Sequence, residues 1–150
     1  MRVLLDTNIL ARAAGGPPGP AHELFMRLTQ HQHVLIWSPR LSDELSRILR
    51  YERVRLIHKL SESEIDEFIG GNTLVAEMIH SSSEAPTAIS ADPDDDYVVQ
   101  AAIAGRADVI CTRDRHLLRP PVVAYCEQRG VRVMNEIELL EELRKMESKP

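Results

Sequence analysis

Four acidic positions far apart along the chain could together hold a divalent cation: Asp6, Glu44, a carboxylate within Asp92-Pro93-Asp94-Asp95-Asp96, and Asp114. Mg²⁺ and Mn²⁺ favour oxygen ligands and keep several waters when bound. Carboxylates packed together without a cation would repel one another and take up protons, so a divalent ion is what makes such a cluster tolerable. A metal-bound water can attack phosphorus while the cation's charge stabilises the departing oxygen, and no nucleophilic side chain is required. The chemistry expected of this set is phosphodiester hydrolysis.

Position has to select among 23 Asp and Glu residues. Asp6 ends the apolar run of residues 3–5, and Asp114 lies just past a second run over residues 108–112. A carboxylate directly after a buried strand is held at the mouth of a crevice, whereas one on the outer face of a helix usually only solvates the surface. Glu44 passes the filter by helical geometry. At about 100° per residue, Leu41, Leu45 and Ile48 cluster, Glu44 falls about 80° from their centre, and Asp43 points away. Asp43 is expected to pair with Arg47 one turn on, an arrangement worth only about 0.3 to 0.5 kcal/mol. The run at residues 92–96 is ambiguous, because acids suit any helix start by capping amides and opposing the dipole. Asp92 fits the N-cap with Pro93 behind it. Asp96 has less helix-starting work than its neighbours, yet a wheel of Val98, Val99 and Ala102 sets Asp95 nearer the apolar side, so the residues themselves leave this choice open.

The elements that must position these acids are short. Strands are expected over residues 3–5, 33–37, 108–112 and 131–134. Helices are expected over residues 8–14 and 20–29, from Ser38-Pro39 through Leu49, over 54–59, from Ser61, and from Asp92-Pro93 through about Ala104. Ser38 before Pro39 reads as a cap, Ser61 and Glu64 have capping-box spacing, and Asn135 starts a closing helix through Leu143. Gly70 and Gly71 are expected to interrupt or kink the Ser61 helix, which resumes over residues 74–79. Residues 81–90 are polar with at most one short strand, near 87–90, and Pro120-Pro121 break the chain. Strands alternating with helices imply a mostly parallel sheet covered on both faces, with ligands at the carboxyl ends of the strands. Asp6 and Asp114 both fall there.

At 150 residues without a compositional break, one domain spanning residues 1–150 is expected. Aromatics make up only 4%, so the core must be aliphatic. No apolar run is long enough to cross a bilayer and the amino terminus lacks a long apolar signal segment, which points to a cytoplasmic protein that needs no membrane. The net charge of −5 excludes a protein that attracts nucleic acid over its whole surface, so any such contact must be local. Cys111 and Cys126 read as buried thiols rather than a disulfide framework, and the scattered histidines show no zinc-ligand pattern.

Taken in order, Leu5-Asp6-Thr7-Asn8-Ile9-Leu10, Asp43-Glu44-Leu45, Asp96 ahead of an alanine-rich helix, and Cys111-Thr112-Arg113-Asp114 resemble the PIN-domain family. This family comprises metal-dependent nucleases and includes toxins of bacterial and archaeal toxin–antitoxin pairs. The resemblance continues to the closing Asn135-Glu136-Ile137-Glu138 segment. It implies a three-layer α/β/α sandwich, an Mg²⁺ or Mn²⁺ cofactor, and Asp6, Glu44, Asp96 and Asp114 as the catalytic, metal-holding acids. Asp96 is preferred to Asp95 because its interval to Thr112 resembles the family's without a gap. Asn8 and Thr112 match supporting positions that orient acids or phosphate. The resemblance also implies an RNA substrate, a cognate antitoxin and a homodimer. The tract over residues 51–83 is longer than in the compact toxins and looks like a longer bacterial and archaeal subgroup. Arg113 stands where many relatives carry a small residue.

Two basic stretches could flank the acidic crevice and guide phosphates: Arg47, Arg50, Arg53, Arg55, His58 and Lys59, and Arg113, Arg115, His116 and Arg119. Arg50, Arg53 and Arg113 are the RNA-contact candidates, against the plainer reading of a solvated helix face and a polar loop. Leu139, Leu140 and Leu143, with the segment at residues 122–125, would serve either a dimer surface or the core. Two other functions compete with the nuclease. A non-catalytic PIN scaffold binding RNA or protein would be expected to lose one of the acids. A receiver-like or phosphatase-like domain would want a lysine partner near residues 108–114, and that segment is poor in lysine.

Overall fold

Val3, Leu4 and Leu5 have no polar side to turn outward, and they form the central strand β1 (Arg2–Leu5) with all three side chains buried. The computed structural model describes residues 1–15, 18–30, 32–80 and 96–150. Within them β1 lies between β2 (Val34–Trp37) and β4 (Val109–Cys111), with β3 (Glu77–Met78) outside β2 and β5 (Arg132–Met134) outside β4. Every pairing is parallel, with Arg2 opposite Val34 and Leu5 opposite Cys111.

Helices α1 (Thr7–Ala14) and α2 (Pro20–Gln30) join β1 to β2, and α3 (Pro39–Leu49), α4 (Glu52–His58) and α5 (Glu62–Val75) join β2 to β3. Helix α6 (Asp96–Ala104) leads into β4, α7 (Pro120–Glu127) joins β4 to β5, and α8 (Glu136–Glu147) follows β5. The chain leaves β1 towards β2 but leaves β4 towards β5, in the opposite direction. Right-handed crossovers therefore put α1 and α2 on one face and α6 and α7 on the other. The packing agrees: α2 lies against β2, α1 and α8, while α6 lies against β4, β1 and β2. The expected α/β/α sandwich is present, and its crossovers diverge between β1 and β4. No helix among the described residues is long and apolar enough to cross a membrane.

Local signals set most helix starts. Ser38 Oγ accepts from the Leu41 amide at 3.1 Å with Pro39 at the first helical position, so α3 begins where residue chemistry places it. Ser61 with Glu64, and Asn135 with Glu138, form complete capping boxes on α5 and α8. Pro120 and Pro121 do not break the chain but open α7, because the first turn has no use for their missing amides. Leu139, Leu140 and Leu143 are buried core residues of α8, which packs on α2, so these leucines form no dimer surface.

Two expectations fail for tertiary reasons. Gly70 and Gly71 do not interrupt α5, which is continuous from Glu62 to Val75. The helix ends instead at Ala76, whose backbone turns extended (φ −87°, ψ 156°), and the next residues form β3 rather than more helix. The reason lies in β2, whose outer edge would otherwise be left unpaired. Glu77 and Met78 pair with Ile36 and Trp37, the Ile79 amide donates to Trp37 O at 2.7 Å, and Arg2 clamps Glu77 through both terminal nitrogens at 2.9 Å. The short strand expected near residues 87–90 and the helix start at Asp92-Pro93 lie outside the described residues.

The carboxyl end of α6 is held close to the sheet. Arg2 donates to Gly105 O at 2.7 and 3.0 Å, and a Cβ on Gly105 would come within 3.0 Å of both Ile36 and Ile79 side chains. Overpacking a tight core typically costs about 1–3 kcal/mol. Gly105→Val is therefore expected to lower unfolding stability by about that amount, read from the urea midpoint at unchanged slope. An unchanged midpoint would show that this approach is loose.

Candidate active site

Because β1 and β4 are neighbours in register, the residues that follow them emerge side by side. Asp6 comes directly after β1, and its amide donates to Cys111 O at 2.9 Å, extending the pairing by one residue. Thr112 comes directly after β4, fully buried, and its hydroxyl donates to Asp6 Oδ2 at 2.7 Å while accepting from the Asp114 amide at 3.0 Å. One hydroxyl thus ties the two strand-end acids together. Asn8 donates to the same Asp6 oxygen at 3.3 Å, and the Thr7 amide donates to Asp6 Oδ1 at 2.7 Å. Asp114 is oriented by the turn that follows it, its Oδ1 accepting from the His116 amide at 2.8 Å.

Asp6 is 5% exposed. Its carboxyl is held above the ordinary range chiefly by desolvation and further by the charge of Asp114, against hydrogen bonds from Thr112 and Thr7 that pull the other way. A buried carboxylate beside a second carboxylate, with fixed hydrogen bonds but no cationic side chain among the described residues pairing with it, is a donor set suited to a hard divalent cation.

Asp96 reaches the same edge by another route, and Glu44 stands in the second turn of the helix that begins beside it. The carboxyl end of α6 sits by Arg2, at the start of β1, so this nine-residue helix carries its amino end roughly 13 Å away, to the carboxyl edge of the sheet. Asp96 is the first residue of that helix and is buried. The guanidinium of Arg40, in the first turn of α3, stacks 4.7 Å over the ring of Tyr97, joining the starts of α3 and α6. Glu44 lies one turn beyond Arg40 on the same helix face, half-buried, while Asp43 is exposed as its wheel position requires. The expected Asp43–Arg47 pair is not formed. Arg47 reaches Glu44 instead, three residues away on the inner side. Among the described residues no three Asp, Glu, His or Cys side chains stand close enough to share a metal ion. The acids at residues 92–95 lie outside those residues.

The basic candidates separate. Arg50 is engaged on every side, by Glu62 at 2.9 Å, Asp66 at 2.8 Å and Ser46 O at 3.1 Å, and Arg55 also pairs with Glu62. His58 is buried and bridges Leu49 O and the Leu60 amide. Arg53 is exposed and makes no ion pair among the described residues. Arg113 lies between Thr112 and Asp114, its amide donating to Asn8 Oδ1 at 3.2 Å and its Nε 3.0 Å from Glu136 Oε1. Sequence reasoning did not single out Glu136, because an acid in the first turn of a helix ordinarily only opposes the dipole. Cys111 and Cys126 are buried; burial pushes both thiols up, that of Cys126 to about 11, which leaves them unreactive.

Removing the Thr112 hydroxyl leaves Asp6 Oδ2 and the Asp114 amide short of a partner, at about 1–3 kcal/mol for a buried group. Thr112→Val should lose about that much stability and Thr112→Ser should recover most of it, by urea denaturation; equal stability of all three would discard the bridge. Since the folded-state pKa of Asp6 is raised, its contribution is fully present below the ordinary value of 3.8 and is lost as pH rises through the folded value. In chelator, wild type should therefore lose melting temperature relative to Asp6→Asn as pH climbs from that value. Parallel melting profiles would contradict the desolvation of Asp6.

No curated protein matches the chain significantly. The PIN domain matches residues 2–116, which run from β1 through the turn after Asp114 and include all four acids. With three-quarters of its length matched and the α/β/α architecture in place, the chain belongs to the PIN-domain family, a nuclease-type fold.

Proposed function

We propose that this chain is an Mg²⁺- or Mn²⁺-dependent endoribonuclease and that it serves as the toxin of a toxin–antitoxin pair. The observation that carries the reading is the buried Asp6 carboxylate, tied through the Thr112 hydroxyl to the Asp114 amide and raised in pKa by burial and by the charge of Asp114, where the crossovers of a parallel sheet diverge. Family membership supplies the nuclease class, and the hard-oxygen donors supply the case for the cation.

Asp6, Glu44, Asp96 and Asp114 are the residues proposed to hold the metal. When bound, such a cation lowers the pKa of a coordinated water and stabilises negative charge on the leaving oxygen. The chain's own residues prepare the ground. Thr7, Asn8 and Thr112 hold both Asp6 oxygens, so little motion is needed when substrate arrives. The His116 amide fixes one oxygen of Asp114 and leaves the other for the crevice. Glu44 would have to give up Arg47 to join them. Arg53 and Arg113 are proposed to meet RNA phosphates. Arg50, committed to Glu62 and Asp66, would first have to exchange those partners. The protein is proposed to act in the cytoplasm, held by an antitoxin and as a homodimer.

Purified chain, freed of any partner, is expected to cleave RNA with Mg²⁺ or Mn²⁺ and to stop in EDTA. Asp6→Asn and Asp114→Asn should each lower the rate about a hundredfold or more while keeping the fold. Either cation should raise the melting temperature of wild type by several degrees when well above its dissociation constant, but not that of Asp6→Asn. Failure to cleave several RNAs with both metals, together with no cation-dependent melting shift, would replace the enzyme by a non-catalytic binding module. Induced expression that halts growth with wild type and not with Asp6→Asn tests the toxin role. Cleavage without growth arrest would leave a housekeeping nuclease.

A further inference from the structure

Glu136 is 3% exposed, and its Oε2 is buried without a hydrogen-bond partner among the described residues. Its ionic partner is Arg113, whose side chain is 43% exposed. A buried carboxylate with one cationic partner rarely stabilises a fold more than an apolar residue of similar size would. Nor does α8 need Glu136 to begin, since Asn135 and Glu138 already form a complete capping box. The pair is costly for stability alone, and its geometry shows another use.

Arg113 Nε lies 3.0 Å from Glu136 Oε1, an ion pair by distance rather than an aligned hydrogen bond. The two terminal nitrogens have no partner among the described residues. The backbone beneath is pinned as well: the Arg113 amide donates to Asn8, which in turn donates to Asp6. A guanidinium ion-paired on its Nε side leaves its terminal nitrogens as a planar, two-pronged donor, the geometry that matches a phosphate. We propose that Arg113 is the clamp for a backbone phosphate of the RNA strand next to Asp114, and that Glu136 is the positioning residue that aims it. The proposal rests on the nuclease reading for the identity of the ligand. It adds the residue that orients the contact, and it gives Arg113, in a site of net negative charge, a reason to be fixed rather than mobile.

The test uses a fluorescein-labelled single-stranded RNA 12-mer, with affinity measured by anisotropy across a salt series in an Asp96→Asn background to prevent cleavage. Arg113→Ala should weaken binding about tenfold and lower the salt slope by about 0.7, the loss of one phosphate contact. Glu136→Ala should weaken binding about three- to fivefold even though it removes a negative charge, which by electrostatics alone would tighten it. Glu136→Gln keeps an acceptor of the same reach and should retain part of the affinity. In the Arg113→Ala background, Glu136→Ala should no longer weaken binding, because its effect passes through Arg113.

Melting curves accompany each variant. If Arg113→Ala leaves Glu136 buried alone and fails to fold, Arg113→Ala with Glu136→Gln takes its place, with the same expected loss of affinity and slope. If Glu136→Ala fails to fold, Glu136→Gln takes its place, with a smaller loss expected. Tighter or unchanged binding in the Glu136 variant, or an unchanged slope without Arg113, overturns the proposal. The cleavage assay keeps the two ideas apart. Cleavage by wild type with binding indifferent to Glu136 rejects the clamp alone, and the expected binding pattern without any cleavage rejects the nuclease alone.

Discussion

The hydroxyl of Thr112 donates to the Asp6 carboxylate and accepts from the backbone amide of Asp114, tying together two acids that an electrostatic account would keep apart. Asp6 is buried at the end of the central strand, and Asp114 follows the neighbouring strand only two residues past Thr112. Their closeness is imposed by the parallel register of β1 and β4, which sets Leu5 opposite Cys111 and so places residues 6 and 112 side by side. The sheet in turn depends on aliphatic side chains buried on both faces, which is why its central strands carry no polar alternation. Stability of the core and instability of the site are thus produced by the same register. The desolvation that disfavours an ionised Asp6 makes a cation its natural complement.

Around that point the chain spends its buried polar groups unevenly. Asp6, Thr7, Asp96, Thr112 and Glu136 are all buried and all belong to segments at the carboxyl edge of the sheet, whereas the opposite edge is closed by surface ion pairs such as Arg2 with Glu77. Surface pairs of that kind contribute little to stability, at most about 1 kcal/mol each. Buried polar groups cost more and persist where geometry is needed more than stability. Helix ends make the same distinction: α5 and α8 start with capping boxes that serve only the helix, while α1 starts with Asp6, whose capping oxygen belongs to the site.

Positive charge is also distributed with a purpose visible only in three dimensions. The arginines after Glu44 read along the chain as one basic stretch. In the fold, Arg50 and Arg55 are drawn together by Glu62 of α5, and His58 is buried as a backbone bridge. They hold the α3–α4–α5 segment together. Arg113 instead pairs with Glu136, and its backbone amide donates to Asn8, which donates to Asp6.

Much of this was legible without coordinates. Apolar runs without alternation marked the strands, Ser38-Pro39, Ser61 with Glu64, and Asn135 marked helix starts, and the placement of Asp6 and Asp114 just after apolar runs marked the strand ends that bring them together. These signals are local, carried by a few neighbouring residues, and so they survive in one dimension. The edge pairing of Glu77 and Met78 was not legible, because the need it meets belongs to β2, some forty residues earlier. The uninterrupted passage of α5 through Gly70 and Gly71, the burial of Leu139, Leu140 and Leu143, and the exchange of Asp43 for Glu44 as the partner of Arg47 depended likewise on what packs nearby. Glu136 is the sharpest case. By itself the chain determined an acid in a helix's first turn, and only the tertiary structure decided that it is buried and paired with Arg113, because a carboxylate's role depends on solvent exclusion and on a partner that sequence distance does not reveal.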